Sequence, residues 1–596
     1  MKERDGEVRE GARESSSGVE LSLDAARERL REKGYLDRGV EGAVLKGALA
    51  ARSRTRALLL GAATGALFLA AAVAVAGAVL HAVSSALPLR DAAVLFLWLF
   101  AGASALAAFL VAGLVALALL RGRLRGDADE ASTEVAVAFG ILAGVAGVAA
   151  ARPALETAGL PGVVAVLAAV ALAVLIAVRV ARGLAFTVFA ASGRLRLPQS
   201  RRRRLAGFIA AAAALLAVAA VLLLRPAPPP GGPLVVEANA HRVTVVAVDG
   251  WTAEPPAPAG TRASYVKSVL DPAAFWTTVA TGQGASRHGI GSLDLVRVAG
   301  VGAPLRPLSG AGFYLGRVLP ALHLARLESV TAAARRVPAV WEVASRSGIP
   351  SLTVNWWTTY PAGDGGGTVL GNHLFFAARA GSSLAGEGWP AEIVARVARL
   401  APRLAPEPGS LERLIEDAKG LDAFAVAAFR DVTAREKPRL SLVYLPGPDI
   451  LSSALAAPER TAADRVVLAE ALTAETAAVR AFLDDPTLLD GTDLVVFVLD
   501  AGRREPGGSV AFAGPLARQG AAPGVISASD LAPTVLAVLG VPSARDAAGK
   551  VRTDFLAAGA ATSETVASWG RRRAGAPPDV DPKEYVENLR SLGYLR

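Results

Sequence analysis

Arg242-Val-Thr-Val-Val-Ala-Val-Asp249-Gly250 is the stretch on which the fold turns. A nearly continuous apolar, β-branched run has no solvent face to offer, so it reads as a strand covered on both sides, as in a parallel sheet. Asp-Gly then closes it with a turn. Three more runs have the same character: Ser351-Leu-Thr-Val-Asn-Trp-Trp357, Leu440-Ser-Leu-Val-Tyr-Leu445 before Pro446-Gly-Pro-Asp449, and Asp493-Leu-Val-Val-Phe-Val-Leu499 before Asp500-Ala-Gly502. Ala-rich segments with spaced Arg and Glu, such as 391–403 and 457–484, lie between them and predict helices. Strands alternating with helices predict an α/β domain over 242–560 with a mostly parallel central sheet. Ligands of such sheets sit beyond the carboxyl ends of the strands. Asp249, Asp449 and Asp500 all fall there, and converging carboxylates suit a metal ion. Taken singly, each reads first as an ordinary turn or cap residue, and it is the three in this order that favour the metal reading.

Upstream the composition changes. Five apolar runs, at about 57–83, 92–120, 135–151, 160–178 and 205–224, approach or exceed the roughly 20 residues that span a bilayer. They predict an α-helical membrane region of about five helices over 57–224. The third and fourth runs are short and could form one re-entrant hairpin around Arg152-Pro153. The chain carries a net charge of +10, and 1–232 holds all of it, with 27 Lys/Arg against 17 Asp/Glu. The basic pI therefore belongs to loops beside a membrane and is no sign of nucleic-acid binding. Arg52, Arg54 and Arg56, then Arg121, Arg123 and Arg125, then Arg201 to Arg204 flank alternate runs, whereas the other loops hold only Arg90 and Arg152. The positive-inside rule puts the N-terminal tail, 1–56, in the cytoplasm and the C-terminal domain outside an inner (cytoplasmic) membrane. The Pro/Gly-rich linker 225–241 reads as a stiff spacer and 561–596 as a tail with a short helix. The runs carry almost no ionisable group apart from His81, which favours an anchor over a transporter. There is no cysteine, so thiolate catalysis and Cys-ligated zinc are excluded.

Several segments resemble a known family. Val245-Val-Ala-Val-Asp249-Gly250, Phe275-Trp-Thr-Thr-Val-Ala-Thr-Gly282, Ser286-Arg-His-Gly-Ile290, Trp341 to Ile349, Val354 to Pro361, Tyr444 to Asp449, Val495 to Gly502, Gly514-Pro515 and Asp530 to Pro542 are similar in order and spacing to the type I phosphodiesterase/nucleotide pyrophosphatase branch of the alkaline phosphatase superfamily. The resemblance implies a sulfatase-like α/β domain, two metal ions (usually zinc) at the strand ends, and hydrolysis of phosphate esters through a Thr or Ser nucleophile. Asp249, Asp449 and Asp500 match metal positions, but the family's metal histidines fall on Ser453, Ala501 and near Arg504. The nucleophile position falls on Pro272 or Asp271, neither with a hydroxyl; Thr277 and Thr278 are the nearest alternatives.

Three carboxylates without nitrogen donors do not suit zinc, and crowded together they repel. Either a hard cation binds them, or basic side chains such as Arg503 and Arg504 neutralise them or hold an anionic substrate. The leading expectation is thus a membrane-anchored phosphodiesterase-like protein with impaired catalysis that binds a phosphorylated or anionic ligand or a protein partner. An active hydrolase with an altered metal site and a membrane scaffold protein are the alternatives. His241, His288, His323 and His373 lie outside the metal motifs, and Gly363 to Gly367 lacks the Lys-Ser/Thr of a phosphate loop. Leu30-Arg-Glu-Lys-Gly-Tyr-Leu36 and Leu589-Arg-Ser-Leu-Gly-Tyr-Leu595 share a pattern that ends a helix at glycine.

Overall fold

The computed structural model describes residues 239–594 with short interruptions, most of 70–121, scattered positions between 163 and 182, and the isolated residues Glu32, Leu234 and Val236. The chain divides into two compact units. One holds 1–73, 100–144 and 173–204; the other holds 74–99, 145–172 and 205–596.

Helix α1, Leu89–Arg121, takes up the second apolar run. Among the described residues no helix is long and apolar enough to cross a membrane; of α1 itself, side chains are described only as far as Ala105. The apolar runs at 135–151 and 205–224 lie outside the described residues.

The α/β domain is built on a nine-stranded sheet. Its strands are β1 Val243–Asp249, β2 Ala259–Val266, β3 Ser351–Val354, β4 Thr368–Leu370, β5 Gly388–Trp389, β6 Leu440–Leu445, β7 Leu494–Asp500, β8 Gly507–Ala513 and β9 Gly524–Val525. They lie in the order β9-β2-β8-β7-β1-β6-β3-β4-β5. The centre, β7-β1-β6-β3-β4, is parallel, and β8 runs antiparallel to both of its neighbours. Both faces of the central strands are buried. Val243, Val245 and Ala247 of β1 face one hydrophobic core, and Val246 and Val248 face the other. This is the physical reason the strand carries no polar alternation.

The helices that place the site are α2 Pro272–Thr281, α3 Leu411–Glu436, α4 Gly447–Leu455, α5 Ala462–Leu483, α6 Leu531–Val538 and α7 Lys583–Ser591. Ser410 caps α3, and Thr461 with Asp464 forms a capping box on α5. The core reaches beyond 242–560 at both ends. Leu234 and Val236 pack against it, Asn239 bonds the carbonyl of Val538, and Trp569, Tyr585 and Leu589 are inside it. Leu234, Val236, Trp569, Tyr585 and Leu589 thus supply part of the domain's packing.

Candidate functional site

Asp249 and Asp500 end adjacent parallel strands and are register partners, so their side chains leave the sheet on the same face. Asp449 does not end a strand. Pro446-Gly447-Pro448 turns the chain after β6, and Asp449 sits in the first turn of α4. Asp422 of α3 holds that turn by accepting the Gly447 amide at 3.0 and 3.1 Å. Two glycines let the three loops meet. Gly250 has φ +80, and a Cβ there would lie 2.3 Å from the Asp449 nitrogen; Gly502 has φ +102 and packs against Asp449 Oδ1. All three aspartates are about 1% exposed.

Five of the six carboxylate oxygens accept hydrogen bonds from protein donors. Lys267 Nζ donates to Asp500 Oδ1 at 2.7 Å, and the Gly502 amide donates to the same oxygen at 2.8 Å. Tyr265 OH donates to Asp500 Oδ2 at 2.7 Å. Arg503 grips Asp449 twice, through its backbone amide to Oδ1 at 2.8 Å and its Nε to Oδ2 at 2.7 Å. Asp249 Oδ2 accepts from Trp276 Nε1 and from Tyr444 OH, each at 2.9 Å. Asp249 Oδ1 has no partner among the described residues.

The electrostatics follow from this geometry. Burial pushes the Asp249 carboxyl well above its ordinary range, and the nearby Asp449 and Asp500 push it the same way. Burial raises Asp500 too, against the pull of Lys267. Tyr265 and Tyr444 are held protonated by burial and by the carboxylates they serve, so both remain donors. Lys267 and Arg503 set two positive side chains against the three carboxyl groups. Among the described residues no three His, Cys, Asp or Glu side chains are arranged to hold a metal ion. The donor set itself does not fit a pair of zinc ions. It offers no imidazole, and five of its six oxygens are already engaged by Lys267, Arg503, two tyrosines, a tryptophan and the Gly502 amide.

The other expected site residues are placed as follows. Asp271 caps α2, accepting from Ala274 N at 3.2 Å and from Leu293 N at 2.8 Å. Thr277 is fully buried against Thr358, with 3.3 Å between hydroxyls. Thr278 bonds the Ala274 carbonyl and His288 Nε2. His288 Nδ1 accepts from the Ile290 amide at 3.1 Å, and burial with Arg335 and Arg336 lowers its pKa to about 3, so it is a neutral structural residue. Arg503 contacts Asp449, while Arg504 lies outside the described residues.

Three features were missed from the sequence. Lys267, just after β2, is the first; a Tyr-x-Lys alternation puts Tyr265 and Lys267 on one face and was the available signal. Trp276, the indole that serves Asp249, is the second. The third is a pocket beside the cluster, where His373 Nδ1 meets Glu387 Oε1 at 2.8 Å and His373 Nε2 meets Asn588 Nδ2 at 2.9 Å. Backbone strain collects at the same place, since Asn355 and Thr358 have φ of 58 and 60.

No family model matches the chain, and no curated protein matches it. Solved structures do. The phosphonate monoester hydrolase SpPMH from Silicibacter pomeroyi is 16% identical, with a TM-score of 0.29 over 55% of this chain and 78% of its own. Human ectonucleotide pyrophosphatase/phosphodiesterase 5 is 10% identical, with a TM-score of 0.28 over 53% of this chain and 100% of its own. Phosphonoacetate hydrolase from Sinorhizobium meliloti 1021, in complex with phosphonoformate, is 12% identical, with a TM-score of 0.26 over 44% of this chain and 58% of its own. At such scores these likenesses decide neither fold nor chemistry.

A second acidic pair lies below α4. Asp422 and Glu475 are buried together, and burial lifts Glu475 to about 7 against the opposing bond with Asp422. A folded pKa raised above 4.5 means that stability falls as pH climbs from about 4.5 to about 7 and is then flat. Glu475→Gln is therefore expected to stabilise the protein at pH 8 by on the order of 2 kcal/mol and to be near neutral at pH 4. Urea titrations at the two pH values check this; an equal effect at both would show that the Glu475 carboxyl does not titrate in that window.

Proposed function

We propose that residues 234–594 form a phosphodiesterase-like domain whose strand-end centre is a charge-balanced structural cluster instead of a hydrolytic dimetal site, and that the domain binds an anionic ligand or partner. The observation that carries this reading is the engagement of the cluster by Lys267 and Arg503. Both are fixed within 2.7 Å of the carboxylates that a metal would need. A guanidinium or ammonium supplies positive charge, but it cannot take up an attacking hydroxyl as a metal ligand does. Among the described residues, Asp271 and Pro272 at the expected nucleophile position carry no hydroxyl; the Thr277 hydroxyl meets Thr358, and the Thr278 hydroxyl bonds the Ala274 carbonyl.

In this reading the domain is held on the outer face of the cytoplasmic membrane by the 57–224 region. Two observations support that placement. Within one compact unit Leu97, Val164 and Leu167 are each at least half exposed, an apolar display that water disfavours and lipid accepts. The start of α1, which the basic-loop rule assigns to the outer side, touches the domain, since Trp98 Nε1 donates to the Ala299 carbonyl at 2.9 Å and Tyr314 OH to the Trp98 carbonyl at 3.0 Å.

The test is hydrolysis of a nitrophenyl phosphodiester and a nitrophenyl phosphate by the purified full chain, with and without Zn²⁺, Mn²⁺, Mg²⁺ or Ca²⁺. The expected rate is that of buffer with the same metal. Turnover that Asp249→Ala and Asp500→Ala abolish would overturn the reading.

A further inference from the structure

The cleft beyond the central strands is already filled by the chain itself. Helix α7 ends in a glycine cap, with Gly593 at φ +73 and the Tyr594 amide bonded to the Leu589 carbonyl at 2.9 Å, and this turn drives Tyr594 back into the cleft. There its ring lies 4.0 Å from the Arg503 guanidinium carbon and meets Trp357 edge-on at 5.1 Å between centroids. Arg503 Nη1 donates to the Gly593 carbonyl at 2.8 Å. Leu589 and Leu592 are buried beside Tyr594, and the cavity left is about 20 Å³, room for a single water.

The segment packs through the buried side chains of Tyr585, Leu589 and Leu592, and its polar attachments are made by side chains. Asn588 meets His373 and Asn372 Nδ2 donates to Tyr585 OH at 3.0 Å, with no strand of the sheet pairing to it. Arg503 Nη2 is buried without an acceptor, so one donor of the arginine fork is unused while Tyr594 covers it. A buried donor left unpaired weighs against the covered state.

We propose that residues 583–594 are a built-in peptide ligand of the strand-end cleft, an autoinhibitory occupant that must leave before any external group can reach Arg503 and Asp449. This rests on the reading of the cleft as a binding site, and the same contacts define what the cleft recognises: an amphipathic helical turn ending in Leu-Gly-Tyr.

The test uses a fluorescein-labelled peptide of residues 583–596, titrated against the full chain and against a chain ending at Pro582 in the same detergent. The shortened chain is expected to bind the peptide saturably, and a Tyr594→Ala peptide at least tenfold more weakly. The full chain, its cleft occupied, is expected to bind at least tenfold more weakly than the shortened one. A folded shortened chain that ignores the peptide, or a full chain that binds equally well, overturns the proposal. If the shortened chain does not fold, hydrogen exchange on full-length Tyr594→Ala decides. Faster exchange confined to 585–592 supports a docked ligand, and faster exchange across β1 and β7 as well shows an integral core segment and overturns it. Neither readout depends on hydrolysis, so failure here and turnover of a phosphodiester are separable results.

Discussion

Lys267→Met is expected to destabilise the domain by about 3–5 kcal/mol, because removing one partner of a buried pair leaves the other as an uncompensated charge. The Lys267 side chain is 2% exposed and Asp500 is 1% exposed, so water cannot take over the lost contact. Lys267 also donates to the Gly502 carbonyl at 2.7 Å, which ties the loop after β7 to the end of β2. Methionine keeps roughly the length but offers neither the donor nor the charge that stands over the Phe275 ring. The double variant Lys267→Met/Asp500→Asn is expected to recover at least half of the loss. Asn retains an acceptor oxygen and carries no charge to strand. Urea unfolding of the full chain, followed by tryptophan fluorescence, gives both numbers. A single-variant loss below about 1 kcal/mol, in the range of exposed pairs, would mean that the pair does not hold the cluster together.

Gly250→Ala is the second large effect. Its φ of +80 costs an L-residue about 1–2 kcal/mol, and its Cβ would fall 2.3 Å from Asp449 N and 2.6 Å from Asp449 Cα and Pro448 C. These are backbone atoms at the start of α4 and cannot swing aside, so overpacking adds about 1–3 kcal/mol. A total loss of about 2–5 kcal/mol follows. Gly348→Ala is the matched control, with φ +74 and nothing within 4 Å of the new methyl. It should show the backbone cost alone. Equal losses at the two positions would remove the claim that the Asp249 and Asp449 loops are pressed together.

The central strands were legible because burial on both faces leaves no room for polar alternation. The runs expected at 242–248, 440–445 and 493–499 match β1, β6 and β7 to within a residue. The flanking strands were not legible. Strand β2 carries Gly260, Arg262 and Ser264, and β8 opens with Gly507-Gly508; such residues pair well only because neighbouring strands supply the partners. The three aspartates were readable as a group, but their partners were not. Lys267 follows a strand that the sequence hides, and Trp276 reaches Asp249 across 27 positions of chain. Arg503 was foreseen as a neutralising charge, and its grip on Asp449 depends on the turn at Gly502, which no local pattern announces. The C-terminal helix was visible as an amphipathic turn closed by glycine. What it covers was not, since the cleft is assembled from Trp357, His373, Tyr444 and Arg503, drawn from four separate segments.

Asp500 and Asp449 bind protein cations in this structure, and Asp249 binds an indole and a phenol.

The most direct measurement is the metal content of the full chain, purified without chelator and analysed by inductively coupled plasma mass spectrometry, beside Asp249→Asn. The charge-balanced cluster predicts less than about a tenth of an equivalent of zinc, manganese, calcium or magnesium per chain, the same in both proteins. One or two equivalents of a divalent ion, lost in Asp249→Asn, would contradict it.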